Sequence, residues 1–169
     1  YVGLYAKNYA MGDGKNMSCD IYRSTDRGGH WERVGLAFPK EPFFFRGDVS
    51  PVGHAPDVSV VYADGAYHMI YDWCSANTKW ETAAEPAGGA DNGIAYARAD
   101  RPEGPFLTTP EPVYRTSKHA AFRGKYRRGY AATLVRRKDD WMVLAMTDSG
   151  ANFSWAMMAM NAKKPEGPY

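Results

Sequence analysis

The pentapeptide Pro102-Glu103-Gly104-Pro105-Phe106 returns as Pro165-Glu166-Gly167-Pro168-Tyr169, each time just after a run of alternating strand residues. A chain that repeats both a turn and the strand before it is built from copies of one sheet unit, each burying its apolar face against the next. The preceding runs align Gly93-Ile94-Ala95-Tyr96-Ala97-Arg98-Ala99 with Ser154-Trp155-Ala156-Met157-Met158-Ala159-Met160, both rich in small residues that permit close approach between sheets. A third, degenerate copy runs through Met17-Ser18-Cys19-Asp20-Ile21-Tyr22-Arg23 into Ser24-Thr25-Asp26-Arg27-Gly28-Gly29-His30-Trp31. Trp31, Phe106 and Tyr169 are thus the aromatics expected to close each unit by packing its outermost strand.

Inner strands follow the same plan. Asp57 to Tyr62, a tight turn at Asp64-Gly65, and Tyr67 to Tyr71 read as a strand pair. Ala131 to Val135, a turn around Lys138-Asp139-Asp140, and Trp141 to Met146 repeat it, which aligns Tyr67 with Trp141 and Asp57 with Ala131. The expected fold class is all-β, a β-propeller of four-stranded antiparallel blades, here partial. Residues 1–169 form one partial propeller domain: 1–40 part of one blade, 50–110 a complete blade, 128–169 a further blade. Propellers close with roughly four to eight blades. The chain is therefore expected to be a piece of a longer protein, with the remainder of the propeller closing the fold; the alternative is a remnant that completes itself with an oligomer partner.

Composition agrees with a globular sheet domain, at 44% hydrophobic and 14% aromatic residues. No apolar run is long enough to span a membrane, so no membrane partner is expected. Cys19 and Cys74 have no metal-ligand spacing around them and read as buried thiols, or as a bridge between neighbouring blades in an oxidising compartment. The net charge is +2, yet between Pro112 and Lys138 there are nine Lys or Arg residues and no Asp or Glu. That run is either a solvated face or an anion-binding rim suited to a uronate, a sulfated sugar or a phosphate. Nucleic acid is not expected as a partner, because acidic residues elsewhere nearly cancel the charge.

Propeller ligands bind where the innermost strands begin around the shared axis. One such approach is Phe43 to Asp57, carrying Asp48, His54 and Asp57 among Pro, Gly and aromatic residues; the other is the basic segment that ends in Arg127-Arg128-Gly129-Tyr130. Pro56 fixes the backbone before Asp57. A carboxylate at the head of an inner strand accepts hydrogen bonds from sugar hydroxyls, or acts as acid or base if its surroundings shift its pKa; the plainer role for Asp57 is to cap its own strand. Asp72 and Asp148, at the ends of middle strands, are candidates to point polar atoms into the same cleft. Ser24-x-Asp26-x-Gly28-x-x-Trp31 fits the Asp-box pattern, whose carboxylate bonds turn amides while the Trp packs inward. No Gly-rich phosphate loop, zinc motif or nucleophile elbow appears.

His54-Ala55-Pro56-Asp57-Val58, then Asp64-Gly65-Ala66-Tyr67-His68-Met69-Ile70-Tyr71-Asp72, Gly93-Ile94-Ala95-Tyr96-Ala97-Arg98 and Pro102-Glu103-Gly104-Pro105-Phe106 together resemble one blade of the five-bladed propeller glycosidases, glycoside hydrolase family 43 and its relatives in families 32, 62 and 117. The likeness covers residues 50–110 well and the next blade loosely. It implies hydrolysis of a glycosidic bond by carboxylates facing each other across the channel, with Asp57 as the catalytic candidate and His54, Asp48, Arg128, Tyr130, Asp72 and Asp148 as substrate-binding candidates. No cofactor is expected, and the sequence gives no support to a channel calcium. The partner implied is a poly- or oligosaccharide, with an anionic one suited to the basic run, and the location implied is secreted or periplasmic.

The chain departs from that pattern at two points. The first inner strand, from which the family takes its base, would precede Tyr1, and Ala131 fills the next expected acidic position. The alternative reading is a non-catalytic carbohydrate-binding propeller. A one-residue slip would instead set Tyr130 where the family's last blade carries a channel histidine.

Overall fold

The structure, a computed structural model, describes residues 2–7, 18–37, 58–74, 92–115, 129–148 and 155–169. Three antiparallel sheets account for nearly all of them. Sheet 1 is β1 (Val2–Lys7), β2 (Ser18–Arg23) and β3 (Glu32–Leu36) in that order. Sheet 2 runs β4 (Val58–Ala63), β5 (Ala66–Cys74), β6 (Asn92–Ala99), with an outer edge of two short pieces, β7 (Leu107–Thr108) and β8 (Tyr114–Arg115), both paired with β6. Sheet 3 is β9 (Gly129–Arg136), β10 (Trp141–Asp148) and β11 (Trp155–Ala162). Successive strands pair with their neighbours, as hairpin-connected radial sheets require.

The β4–β5 hairpin shows how local sequence sets this pattern. Asp64 (φ 49°) and Gly65 (φ 79°) both take left-handed backbone, the geometry a two-residue hairpin needs, and Ala63 pairs directly with Ala66 across it. Register then alternates the side chains of β5 between two faces. Met69 and Tyr71 join Ile21, Ala37, Ala95, Ala97, Ala99 and Phe106 in a core shared with sheet 1. Ile70 joins Ile94, Tyr96, Tyr114, Ala132, Leu134, Trp141, Val143 and Ala145 in a core shared with sheet 3. Sheet 2 is thus buried on both faces, which is why its middle strands carry no polar alternation.

Contacts across the sheets place their inner edges side by side. The Leu134 amide of β9 donates to Ser59 Oγ of β4 over 3.1 Å, and Arg136 Nε lies 3.6 Å from Asp64 Oδ2 where both hairpins turn. The two inner strands therefore run the same way around a common axis, as propeller blades do.

The repeated pentapeptide is one structure used twice. Gly104 and Gly167 have φ of 76° and 89°, each is followed by a cis proline, and their amides donate to Arg101 O and Lys164 O over 3.0 and 3.1 Å. Phe106 is buried, and its amide donates to Ala37 O of sheet 1 over 2.9 Å. The closing aromatic therefore docks its blade onto the preceding one. Tyr169 does so partly, beside the core between sheets 2 and 3. Trp31 departs from the expectation: it is 47% exposed, and its ring lies against Gly28 of its own turn.

One alignment also needs correction. Ala99 pairs with Tyr67 and Ala162 with Trp141, so Gly93 corresponds to Ala156 rather than to Ser154. The error is two residues, one full strand period, so the assignment of faces survives it.

Gly93 has a reason beyond general smallness. A Cβ there would fall 2.0 Å from Tyr114 O and 2.9 Å from Tyr114 C, both backbone atoms of β8. Gly93→Ala is expected to prise β8 from β6 and lower stability by about 1–3 kcal/mol, read as a lower urea midpoint. Gly35→Ala, where nothing lies within 4 Å of the added carbon, is expected to stay within about 0.5 kcal/mol of the parent.

Candidate functional site

The two ends of sheets 2 and 3 differ in kind. At one end lie the described turns Asp64-Gly65, Asp100 to Pro105, Arg137 to Asp140 and Lys163 to Pro168. At the other end β4, β6, β9 and β11 begin and β5 and β10 finish. Asp72, Tyr130 and Asp148 are strand positions at this second end of their sheets. Asp72 pairs with Ile94, Tyr130 with Met146 and Asp148 with Trp155. Asp48, His54, Asp57 and Arg128 lie outside the described residues, although β4 starts at Val58, immediately after Asp57.

Register settles the comparison between Asp57 and Ala131. Trp141 corresponds to Tyr67, since their partners Arg136 and Tyr62 both precede a hairpin turn; four residues on, Ala145 corresponds to Tyr71, whose partner is Val58. Between Leu144, paired with Thr133, and Met146, paired with Tyr130, the ladder slips. Ala131 and Ala132 together oppose the single residue Ala145, a β-bulge. Ala131 sits at φ 49°, left-handed backbone that an L-residue with a Cβ adopts at a penalty of about 1–2 kcal/mol. The bulge takes up one residue, so counting back along β9 the residue aligned with Asp57 is Tyr130. Counted this way Tyr130, rather than Ala131, falls in line with Asp57, which itself lies outside the described residues, and neither Tyr130 nor Ala131 is a carboxylate.

The bulge was invisible in the sequence because glycine, the residue that advertises left-handed backbone in a strand, is absent from it. Ala131 is forced there by the pairing on either side. Ala131→Gly is expected to leave the thermal midpoint unchanged or raise it, whereas Ala131→Val, with a branched Cβ at positive φ, is expected to lower stability by about 1–2 kcal/mol. If Val is tolerated as well as Gly, β9 pairs without the bulge.

The Asp-box segment forms the turn its carboxylate implies, although its Trp31 does not pack inward. Asp26 Oδ1 accepts from the His30 amide and from Ser24 Oγ, each over 2.8 Å, while Ser24 Oγ accepts from the Gly28 amide over 2.7 Å. These bonds from His30 and Ser24 hold the Asp26 carboxyl down at about 2. It stands at the turn between β2 and β3, the end opposite Lys7 and Ser18, and so serves architecture. Among the described residues no three His, Cys, Asp or Glu side chains gather to hold a metal.

Sequence reasoning passed over His68, a buried imidazole with both ring nitrogens bonded. Its signal was a lone basic residue between Tyr67 and Met69 in the apolar run from Ala66 to Tyr71. It lies near Ala63, at the turn end and away from Asp72.

No family model matches the sequence, and no curated protein matches it. Among solved structures the chain is similar to Zg3597, a family 117 glycoside hydrolase of the marine bacterium Zobellia galactanivorans, with a TM-score of 0.62 and 18% identity over 94% of this chain and 42% of that one. It is similar to an α-L-arabinanase of Penicillium chrysogenum solved with arabinobiose (TM-score 0.51, 13% identity, 98% of this chain, 41% of that one). A GH43_1 enzyme of Xanthomonas citri solved with xylotriose gives a TM-score of 0.51 and 14% identity over 95% of this chain and 51% of that one. The chain spans about half or less of each. At such identities the likeness is one of fold: three radial antiparallel sheets that make a partial propeller of the kind the β-propeller glycoside hydrolases share.

Proposed function

We propose that this chain is part of a propeller glycoside hydrolase that cleaves glycosidic bonds in a poly- or oligosaccharide, with Asp57 as a reacting or substrate-binding carboxylate. The observation that carries the reading is positional. Inner strand β4 begins directly after Asp57, in a sheet that carries the ordered family-like segments, within a fold shared with glycoside hydrolases. Ionised, Asp57 would accept hydrogen bonds from sugar hydroxyls or take a proton from water. Its partner carboxylate would stand roughly 6.5–9.5 Å away in an inverting pair, leaving room for that water. His54, Asp48, Arg128 and Tyr130 would supply donors around the ring, and Arg128 would favour a substrate bearing carboxylate or sulfate. Asp72 and Asp148 would border the same rim.

In this reading further propeller sheet covers the outer face of sheet 3. Met157, Ala159 and Asn161 of β11 correspond in register to Ile94, Tyr96 and Arg98 of β6. Ile94 and Tyr96 are buried against sheet 3, whereas Met157 is 66% exposed.

A second reading, glycan binding without cleavage, is favoured by one feature: the position aligned with Asp57 in the next blade is Tyr130, which cannot act as a carboxylate. Assay of reducing-sugar release from a panel of neutral and anionic polysaccharides by the complete protein separates the two. Asp57→Asn is expected to lower turnover by about a hundredfold or more while leaving glycan binding measurable. Binding by the parent protein with no release from any polymer would establish the second reading.

A further inference from the structure

His68 stands where sheet 2 meets sheet 3, at the end of the fold away from the candidate site. Nε2 lies 3.1 Å from Ala63 O and Nδ1 lies 2.7 Å from Tyr96 Oη. A carbonyl only accepts, so Nε2 carries the proton and donates; Nδ1 is then a lone pair that accepts from the tyrosine hydroxyl. Desolvation holds the Tyr96 hydroxyl up at about 12, which keeps it a donor. The imidazole is therefore satisfied as the neutral tautomer. Its ring centroid lies 4.9 Å from that of Trp141, a fully buried side chain of sheet 3, at an interplanar angle of 59°.

A second proton has no good place here. It would go on Nδ1, facing the Tyr96 O–H, which would have to turn away and give up its acceptor. The resulting cation would face charged groups from every element around it. Arg98 of β6 is its direct pairing partner in register and repels it, while Asp64 of the β4–β5 turn and Glu166 of the C-terminal turn attract it. Trp141 of β10 offers a ring face, but the Arg136 guanidinium of β9 already lies 5.2 Å from that ring's centroid. Tyr169 of the C-terminal turn contributes a neutral hydroxyl bonded to Pro165 O. Burial is the largest influence and lowers the His68 pKa.

We propose that His68 is a pH-sensitive latch between the second and third sheets, closed while its imidazole is neutral and loosened when acidification charges it. The sign follows from linkage. The open state takes up a proton near the ordinary histidine value, about 6.5, and the closed state only below it. The interface is thus at full strength above that value and weakens as pH falls below it, by at most about tenfold in the opening equilibrium per pH unit for one proton.

The test uses the full chain and two readouts between pH 7.5 and 5. The first is the NMR titration of the His68 ring, expected to fall below about 6.5. The second is amide exchange at Leu134 and Val143, buried residues of β9 and β10, corrected for the intrinsic pH dependence of exchange. Their opening is expected to increase as pH falls, to flatten in His68→Gln, and to persist in His30→Gln, whose ring is exposed. A His68 ring that titrates at or above its ordinary value, or an unchanged pH response in His68→Gln, would overturn the proposal. Should His68→Gln not fold, the titration of the parent protein decides alone.

Discussion

Everything in this chain depends on sheet 2 being buried on both faces. A β-sheet with two apolar faces has no stable existence in water, so its formation and the docking of sheets 1 and 3 are one event. The two interfaces are filled differently. Towards sheet 1, β6 offers only Ala95, Ala97 and Ala99, and the bulk comes from Met69, Tyr71 and Ile21. Towards sheet 3 it offers Ile94 and Tyr96, met by Leu134, Trp141 and Val143. Radial sheets diverge outward, and Phe106 occupies the widening edge between sheets 1 and 2 and ties itself to Ala37 with a backbone bond.

How much of this the sequence disclosed follows from which physical signals are local. The hairpin at Asp64-Gly65, the twin Pro-Glu-Gly-Pro turns and the Asp26 turn are set by residues adjacent in the chain, and each appears in the structure as read. The strand order follows, because hairpin-connected strands have little choice of partner. What escaped was set by pairing at a distance. The bulge at Ala131-Ala132 is imposed by pairing with β10. The two-residue error between β6 and β11 arose because alternation alone cannot distinguish registers that differ by a full period. Of the candidate site, Asp72, Tyr130 and Asp148 are strand positions at the same end of sheets 2 and 3, while Asp48, His54, Asp57 and Arg128 lie outside the described residues.

The two ends of the fold divide its chemistry. The turn end holds short, internally bonded connections: Arg137 and Asp140 pair through both carboxylate oxygens over 2.6 Å, and Arg136 reaches Asp64 across the two blades. Such turns have few conformations to lose and fix the angle between sheets. Strands start and stop at the opposite rim, where side chains from several blades can converge on one ligand. Under the proposed function, position on a stiff framework, rather than local flexibility, is what a pair of reacting carboxylates would need.

That division gives the His68 latch leverage. An eight-residue strand such as β10 is about 26 Å long, so tilting sheet 3 against sheet 2 by about 5° at the turn end displaces its far end by about 2 Å. Misplacement of about 1 Å is enough to slow a reaction by about a hundredfold. In the proposed latch, the charge on one buried imidazole at the turn end would act on the separation between the rim positions of β5 and β10, Asp72 and Asp148, without touching either residue. The closing hydrogen bond from Leu134 to Ser59 lies between the two ends on the innermost strands. Because the Leu134 amide is itself the donor that bridges the two sheets, its exchange reports such a tilt directly.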